Sequence, residues 1–282
     1  HYPDDVVRMF IRKSVENGID IIRIFDALND VRNIEVAVDE TLKCGAHASG
    51  TICYTISPIH NLESYVKLAK EIEALGVQSI CVKDMAGIMS PKEGYDLVKA
   101  LKANVKVPIV VHTHSTTGLG FMTLLKCVEA GADVIDSAIS CFSGGTSQPA
   151  TETLVYTLKQ YGYEVDVDEN VCQEINDFFK PIRAKALESG LLNPVVMGTQ
   201  TDALIYQIPG GMLSNLVAQL TAQKKLDKLD EVLLETPRVR EDLGYPPLVT
   251  PMSQMVGVQA TANVLAGERY KNISKEVKSY IK

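Results

Sequence analysis

Short apolar runs recur through the first half of the chain, and each closes on polar residues. Ile21-Ile22-Arg23-Ile24-Phe25 ends near Asp26, Thr51-Ile52-Cys53-Tyr54 near Thr55, Ile80-Cys81-Val82-Lys83 at Asp84, Val111-His112-Thr113 at His114, and Val134-Ile135-Asp136-Ser137-Ala138-Ile139 near Ser140. Successive ends lie 29, 29, 30 and 26 residues apart. Between the runs lie amphipathic stretches such as Leu62 to Leu75 and Met122 to Ala130, closed by Gly45, Gly76 and Gly131. Runs of strand length alternating with helical periods predict parallel strands joined by crossover helices. The runs are apolar on both sides, as in a sheet covered by helices and filled inside, with polar residues gathered at their carboxyl ends. That is the catalytic rim of a TIM (β/α)8 barrel.

Only five such units are visible. The chain opens on a helix, with Tyr2-Pro3-Asp4-Asp5 at its entry and Val6, Phe10 and Val15 along the expected inner face. The expected architecture is a TIM (β/α)8 barrel whose first three strands are missing from this chain; an open doubly wound sheet is the alternative. Beyond Gln160 the rhythm changes. Asp166 to Asn170 reads as a turn, and helical periods follow over Val171–Leu187, Ser214–Lys224, Leu226–Leu234, Ser253–Leu265 and Ser274–Ile281. Two proline- and glycine-rich loops interrupt them, Gln207-Ile208-Pro209-Gly210-Gly211-Met212 and Tyr245-Pro246-Pro247-Leu248-Val249-Thr250-Pro251. Residues 1–160 are therefore expected to form the partial barrel and residues 161–282 a helical funnel subdomain over its mouth.

Composition narrows the partners. The chain has 282 residues, 46% hydrophobic and 22% charged, with a formal charge of −7. An acidic balance argues against a nucleic-acid surface, and no apolar run reaches the ~20 residues of a membrane span. The six cysteines are scattered without a C-x-x-C pair, which makes the reducing cytoplasm the expected compartment.

The chemistry concentrates at two run ends. His112 and His114 share one strand face, because residues i and i+2 project together. Neutral imidazoles so placed suit Zn²⁺, Co²⁺ or Mn²⁺, against the dull reading of hydrogen-bonded core histidines. Lys83 ends an otherwise apolar strand, where an unpaired ammonium is costly. Three readings stand level: a salt bridge to Asp84 or Asp26, a Schiff-base amine, or a lysine carbamylated by CO₂. Ser115-Thr116-Thr117-Gly118-Leu119-Gly120 offers backbone N–H groups to an anion only weakly. Thr250 is an ordinary extended residue before proline unless its loop folds over the barrel mouth. His47 and His60 read as structural.

Taken together, Phe25-Asp26-Ala27-Leu28-Asn29-Asp30, Val82-Lys83-Asp84-Met85-Ala86-Gly87, His112-Thr113-His114, Gly145-Thr146-Ser147-Gln148-Pro149, Ile208-Pro209-Gly210-Gly211-Met212 and the Tyr245–Pro251 loop resemble the carboxyltransferase domain of biotin-dependent enzymes. That family includes pyruvate carboxylase, the oxaloacetate decarboxylase α subunit and the central subunit of transcarboxylase. Tyr245–Gln254 and Gly267-Glu268-Arg269-Tyr270-Lys271 resemble most the decarboxylase α subunit and the separate B subunit of two-subunit pyruvate carboxylases. The resemblance implies a metal held by carbamylated Lys83, His112 and His114. It also implies that Thr250 binds substrate and shuttles a proton, and that Ser253 and Gln254 line the biotin pocket. It implies CO₂ transfer between oxaloacetate or pyruvate and biotin, through a pyruvate enolate. The expected partners are a separate biotin carboxyl carrier domain, a biotin carboxylase or membrane decarboxylase subunits, and further copies of the chain.

Two departures stand out. The family's Asp-x-x-Arg-Asp motif with a metal-binding aspartate, and its Met-Lys-Met biotinylation site, are not found here. A metal-dependent aldol or Claisen-type lyase on a related barrel is the competing enzyme class. A structural scaffold is the competing non-enzyme class.

Overall fold

The structure, a computed structural model, describes residues 2–192, 194–206 and 208–282. Five strands carry the first half: β1 (Ile21–Ile24), β2 (His47–Cys53), β3 (Ser79–Asp84), β4 (Ile109–Thr113) and β5 (Val134–Ile135). All are parallel and ordered β1-β2-β3-β4-β5. Helices α1 (Asp4–Glu16), α2 (Glu35–Lys43), α3 (Leu62–Ala74), α4 (Pro91–Asn104), α5 (Gly120–Glu129) and α6 (Thr151–Gln160) alternate with them. Ile24, Ile52, Ile80, Val82, Ile109 and Val111 pack in one core with Val38 of α2, Ile72 of α3, Leu101 of α4 and Leu124 of α5. Helices on a single face and strands in sequential order make an arc of a TIM barrel. A doubly wound sheet would reverse its strand order and cover both faces.

Three expectations about this half need correction. On α1 the buried residue is Ile11, whereas Val6 and Phe10 are exposed. The helix leans on α2 through Arg8 and Arg12, which clasp the buried Glu40 at 2.8 and 2.5 Å, so ion pairing rather than apolar spacing fixes its rotation. The fifth run forms only two residues of strand. Asp136 turns inward to His112, and Ala138 then bonds Pro149. The concave face is not wholly apolar either. Arg23, Ser49, Thr51 and Ser79 alternate with the core residues along the strands, and register sets Ser49 beside Ser79, whose hydroxyls bond at 2.9 Å.

The second half is helical: α7 (Glu169–Glu188), α8 (Asp202–Tyr206), α9 (Gly210–Ala222), α10 (Leu229–Asp242), α11 (Met252–Ala266) and α12 (Lys275–Tyr280). Its core, including Met212, Leu220, Val232, Val239 and Val256, also takes in Ala27, Cys53 and Met85 from the ends of β1, β2 and β3. The helices thus sit on the carboxyl rim of the arc. Arg240 anchors them there, donating to Pro246 O at 3.0 Å and to Thr55 Oγ1 at 2.8 Å. The expected Ile208–Met212 loop is shorter than its sequence suggests, because Pro209 caps α9 and Gly211 and Met212 already lie in its first turn; Gln207 lies outside the described residues. The expected Leu226–Leu234 helix is a single 3-10 turn (Leu226–Lys228) followed by α10, which continues through Pro237. Among the described residues no helix is long and apolar enough to cross a membrane.

Candidate active site

Register places the site in one rung. Cys53 faces Lys83 across β2 and β3, and Lys83 faces His112 across β3 and β4. The next residues, Asp84 and Thr113, point the other way into the helix-packed core. There Asp84 is wholly buried and accepts from Ile88 N, Met89 N and Thr113 Oγ1 at 3.1, 2.9 and 2.8 Å. Asp84 therefore organises the turn after β3 and is not a partner for Lys83. Asp26 is likewise occupied by Leu28 N and Asp30 N.

The two histidines converge. His112 Nδ1 lies 2.7 Å from Asp136 Oδ2, and His114 Nδ1 lies 2.6 Å from Thr146 O. Both partners only accept, so both Nδ1 atoms carry a proton and the two Nε2 atoms turn toward each other. Those Nε2 atoms are 3.2 Å apart. Burial pushes the His114 imidazole down to about 4, so it stays neutral at pH 7. Burial disfavours the Asp136 charge, but bonds from His112 and Arg23 outweigh it and hold that carboxyl at about 2. A fixed carboxylate or carbonyl behind each ring is how proteins orient metal-binding histidines.

Lys83 reaches no carboxylate. Among the described residues its Nζ makes no ion pair or hydrogen bond and lies 4.0 Å from the centre of the Phe25 ring. Burial lowers its pKa. Of the three readings the salt bridge is therefore removed. Among the described residues no three of His, Cys, Asp and Glu gather as a ligand set, so two imidazoles alone would be an incomplete shell. A charged oxygen on Lys83 is the kind of donor they lack.

Above the histidines is a cavity of about 270 Å³, lined by His114 and Thr116 from the barrel, Met85 and Thr146 from rim loops, and Thr250, Ser253 and Gln254 from the helical layer. Thr250 precedes α11 and is exposed; Ser253 and Gln254 lie in the helix's first turn. The structure thus gathers His114, Thr250, Ser253 and Gln254 around one space. His112 and Lys83 lie in the rung just below. In the Ser115–Gly120 turn, Ser115 N bonds Ser147 O at 2.7 Å and Gly118 N bonds Ser115 O at 3.0 Å, so those two N–H groups are engaged within the protein. Gly87 lets the turn after β3 touch β4: its φ is 66°, and a Cβ there would stand 2.5 Å from His114 O.

A family model described as HMGL-like matches residues 11–178. The chain belongs to the HMGL-like family. A second model, described as a conserved carboxylase domain, matches residues 203–282. The carboxyltransferase resemblance of this HMGL-like chain is borne out by its relatives. The B subunit of Methanocaldococcus jannaschii pyruvate carboxylase is 56% identical over the whole chain, which covers 49% of that protein. The methylmalonyl-CoA carboxyltransferase 5S subunit of Propionibacterium freudenreichii is 48% identical over 98% of the chain and 54% of the relative. The carboxyl transferase domain of Rhizobium etli pyruvate carboxylase, solved with pyruvate, superposes with a TM-score of 0.92 at 30% identity, covering all of this chain and 49% of that one. The chain spans about half the length of the curated relatives it matches.

Three residues of this HMGL-like site escaped the sequence reading as functional groups. Asp136 and Arg23 stand inside apolar runs, and only the pleat, which turns both toward the concave face, brings them together. Gln148, whose Nε2 lies 3.4 Å from both histidine Nε2 atoms, belongs to a turn whose shape no periodicity announces. The signal available was a charged residue at an inward position of a strand, which is rarely idle.

Proposed function

We propose that the chain performs the carboxyltransferase half-reaction, moving CO₂ between oxaloacetate or pyruvate and biotin carried on a separate domain. The observation that supports this most is the pair of imidazoles whose Nε2 atoms converge at 3.2 Å, with both Nδ1 atoms already committed, beside the cavity that Thr250 lines. Two converging lone pairs repel unless a cation or proton lies between them, so the donor set fits a divalent metal. Lys83, as a carbamate, and His112 and His114 would hold it; a half-buried amine with a lowered pKa and no ion pair is the lysine state that reacts with CO₂. When bound, a Zn²⁺, Co²⁺ or Mn²⁺ ion supplies a Lewis acid that polarises the keto oxygen of pyruvate.

The remaining work falls to this chain's own side chains. The Thr250 hydroxyl takes a proton from the pyruvate methyl carbon and gives one to biotin N1 as the carboxyl group moves; the reverse direction reverses both transfers. Ser253 and Gln254, one helical turn away, line the space for the biotin head group. The α9–α11 layer keeps bulk water from the reacting atoms. The conserved carboxylase domain match over residues 203–282 supports carboxyl transfer over the aldol or Claisen-type lyase reading. Carrier, carboxylase and membrane decarboxylase partners, homo-oligomerisation and a cytoplasmic location belong to the same reading.

The test is Thr250→Ala in the full-length protein. Exchange between oxaloacetate and biotin should fall about 10²- to 10⁴-fold, the range of one proton-transfer group, while metal content stays at the parent level. Parent-level exchange in the variant removes Thr250 from the reaction.

A further inference from the structure

We propose that the cavity between the amino-terminal halves of α3 and α4 binds a planar, amino-substituted nitrogen heterocycle of nucleobase size. It measures about 190 Å³ and shares no lining residue with the cavity that Thr250 borders. Ile56, Leu62 and Leu97 give it apolar walls; His60, Glu93 and Asp96 give it polar ones. Small-molecule sites have that make-up, concave and mostly apolar with a few polar groups that fix orientation.

The hydrogen-bond network decides what His60 presents. Ser57 Oγ accepts from Ile59 N and from His60 N, each at 3.2 Å. With both lone pairs engaged, the Ser57 proton goes to His60 Nδ1, 2.7 Å away. The imidazole therefore carries its own proton on Nε2, which has no hydrogen-bond partner among the described residues. Burial, and after it the nearby Arg240 guanidinium, lower the His60 pKa, so the ring stays neutral at pH 7. The α4 groups, in contrast, only accept. Glu93 Oε2 takes Ser90 N at 3.1 Å, and Asp96 Oδ2 takes Lys92 Nζ at 2.5 Å, which leaves Asp96 Oδ1 for a further donor. No lysine or arginine lines the cavity, so an anion finds no counter-charge in its walls. A ring nitrogen for the imidazole N–H and an exocyclic amino group for a carboxylate, on one flat frame, match this set. A carboxylic acid or a phosphate ester does not.

Thr55 and Ile56 join this cavity to the helical layer. Tyr65 Oη donates to Thr55 O at 2.6 Å and accepts from Thr55 N at 2.8 Å. Arg240 of α10 donates to Thr55 Oγ1 at 2.8 Å and to Ile56 O at 3.1 Å. A molecule seated against Ile56 restrains the two residues on which the layer is anchored. Sites that share a segment in this way are coupled when a ligand makes that segment more rigid.

The experiment titrates the full-length protein with adenine, purine, adenosine and AMP. Affinity is read by calorimetry, and backbone protection over residues 54–62 by hydrogen exchange. Adenine should bind and slow exchange over 54–62. It should exceed purine, which lacks the amino group, by at least about tenfold, the effect of one hydrogen bond to a charged group. His60→Phe, which keeps a ring and loses the N–H, should weaken adenine about fivefold, as for one neutral hydrogen bond. Leu62→Trp, at an exposed position on the cavity wall, should abolish both binding and protection. Adenosine and AMP separate a nucleoside from a nucleotide source, and the two carboxylates predict that AMP is the weaker. No adenine binding, equal affinity for purine, AMP tighter than adenosine, or parent-level binding in Leu62→Trp each overturn the proposal. Should the tryptophan variant misfold, His60→Phe and the comparison with purine decide.

Discussion

The barrel arc and the helical layer bury polar groups by opposite means. In the arc, buried polar contacts such as Ser49 with Ser79 and Thr113 with Asp84 join neighbouring strands, apart from the Arg23–Asp136–His112 set at the site. In the layer, Glu235 of α10 accepts from Asn263 of α11 at 2.8 Å and from Arg269 at 2.7 Å; Gln259 donates to Asn263 at 2.8 Å and to Asn272 O at 2.8 Å. Those side chains form one connected set. Register makes the arc modular, so its stability resides in apolar packing. The layer, where α11 buries both Gln259 and Asn263, depends on a network that fails as a unit.

Substitutions at three positions sharpen that contrast. The largest loss is expected from Ile80→Ala in the arc, where a fully buried side chain meets α-helical neighbours. Denaturant unfolding should show about 3–4 kcal/mol of destabilisation. Next, Glu235→Ala in the layer leaves Asn263 Nδ2 without its acceptor and Arg269 with Asp242 alone, and should cost about 2 kcal/mol. Glu235→Gln keeps one acceptor oxygen and should cost clearly less. Equal losses from those two variants would mean that the layer is not a network. Smallest in stability is Asp136→Asn, which retains an acceptor for His112 but weakens the hold of Arg23. Its melting temperature should move by no more than a degree or two, while metal affinity falls about tenfold. A large loss of stability would make the Arg23–Asp136 pair a brace of the arc instead of a support for the imidazole.

The arc was largely legible in the sequence because strand and helix periods alternate without interruption from Ile21 to Ile135. His112 and His114 were legible because a two-residue spacing fixes a shared face whatever the register. Their convergence was not, since it depends on the acceptors Asp136 and Thr146, 24 and 32 residues downstream. Val6 and Phe10 misled because a helical stripe does not say which neighbour it meets; ion pairs to Glu40 chose the face with Ile11. The helical period read over Leu226–Leu234 likewise ended short of α10, which packing carries through Pro237 to Asp242. Thr250, Ser253 and Gln254 gained their meaning from resemblance, and their common cavity with His114 from tertiary packing.

Gly87 contributes no reactive atom, yet the loop it belongs to can approach the carbonyl of His114 only because nothing projects from its α-carbon. Alanine there would require either that loop or the ring-bearing segment to retreat. A survey that ranks positions by chemical reactivity would place this residue last. A mutational scan should place it beside the imidazoles, since emptiness at that spot is as much a part of the site as any side chain.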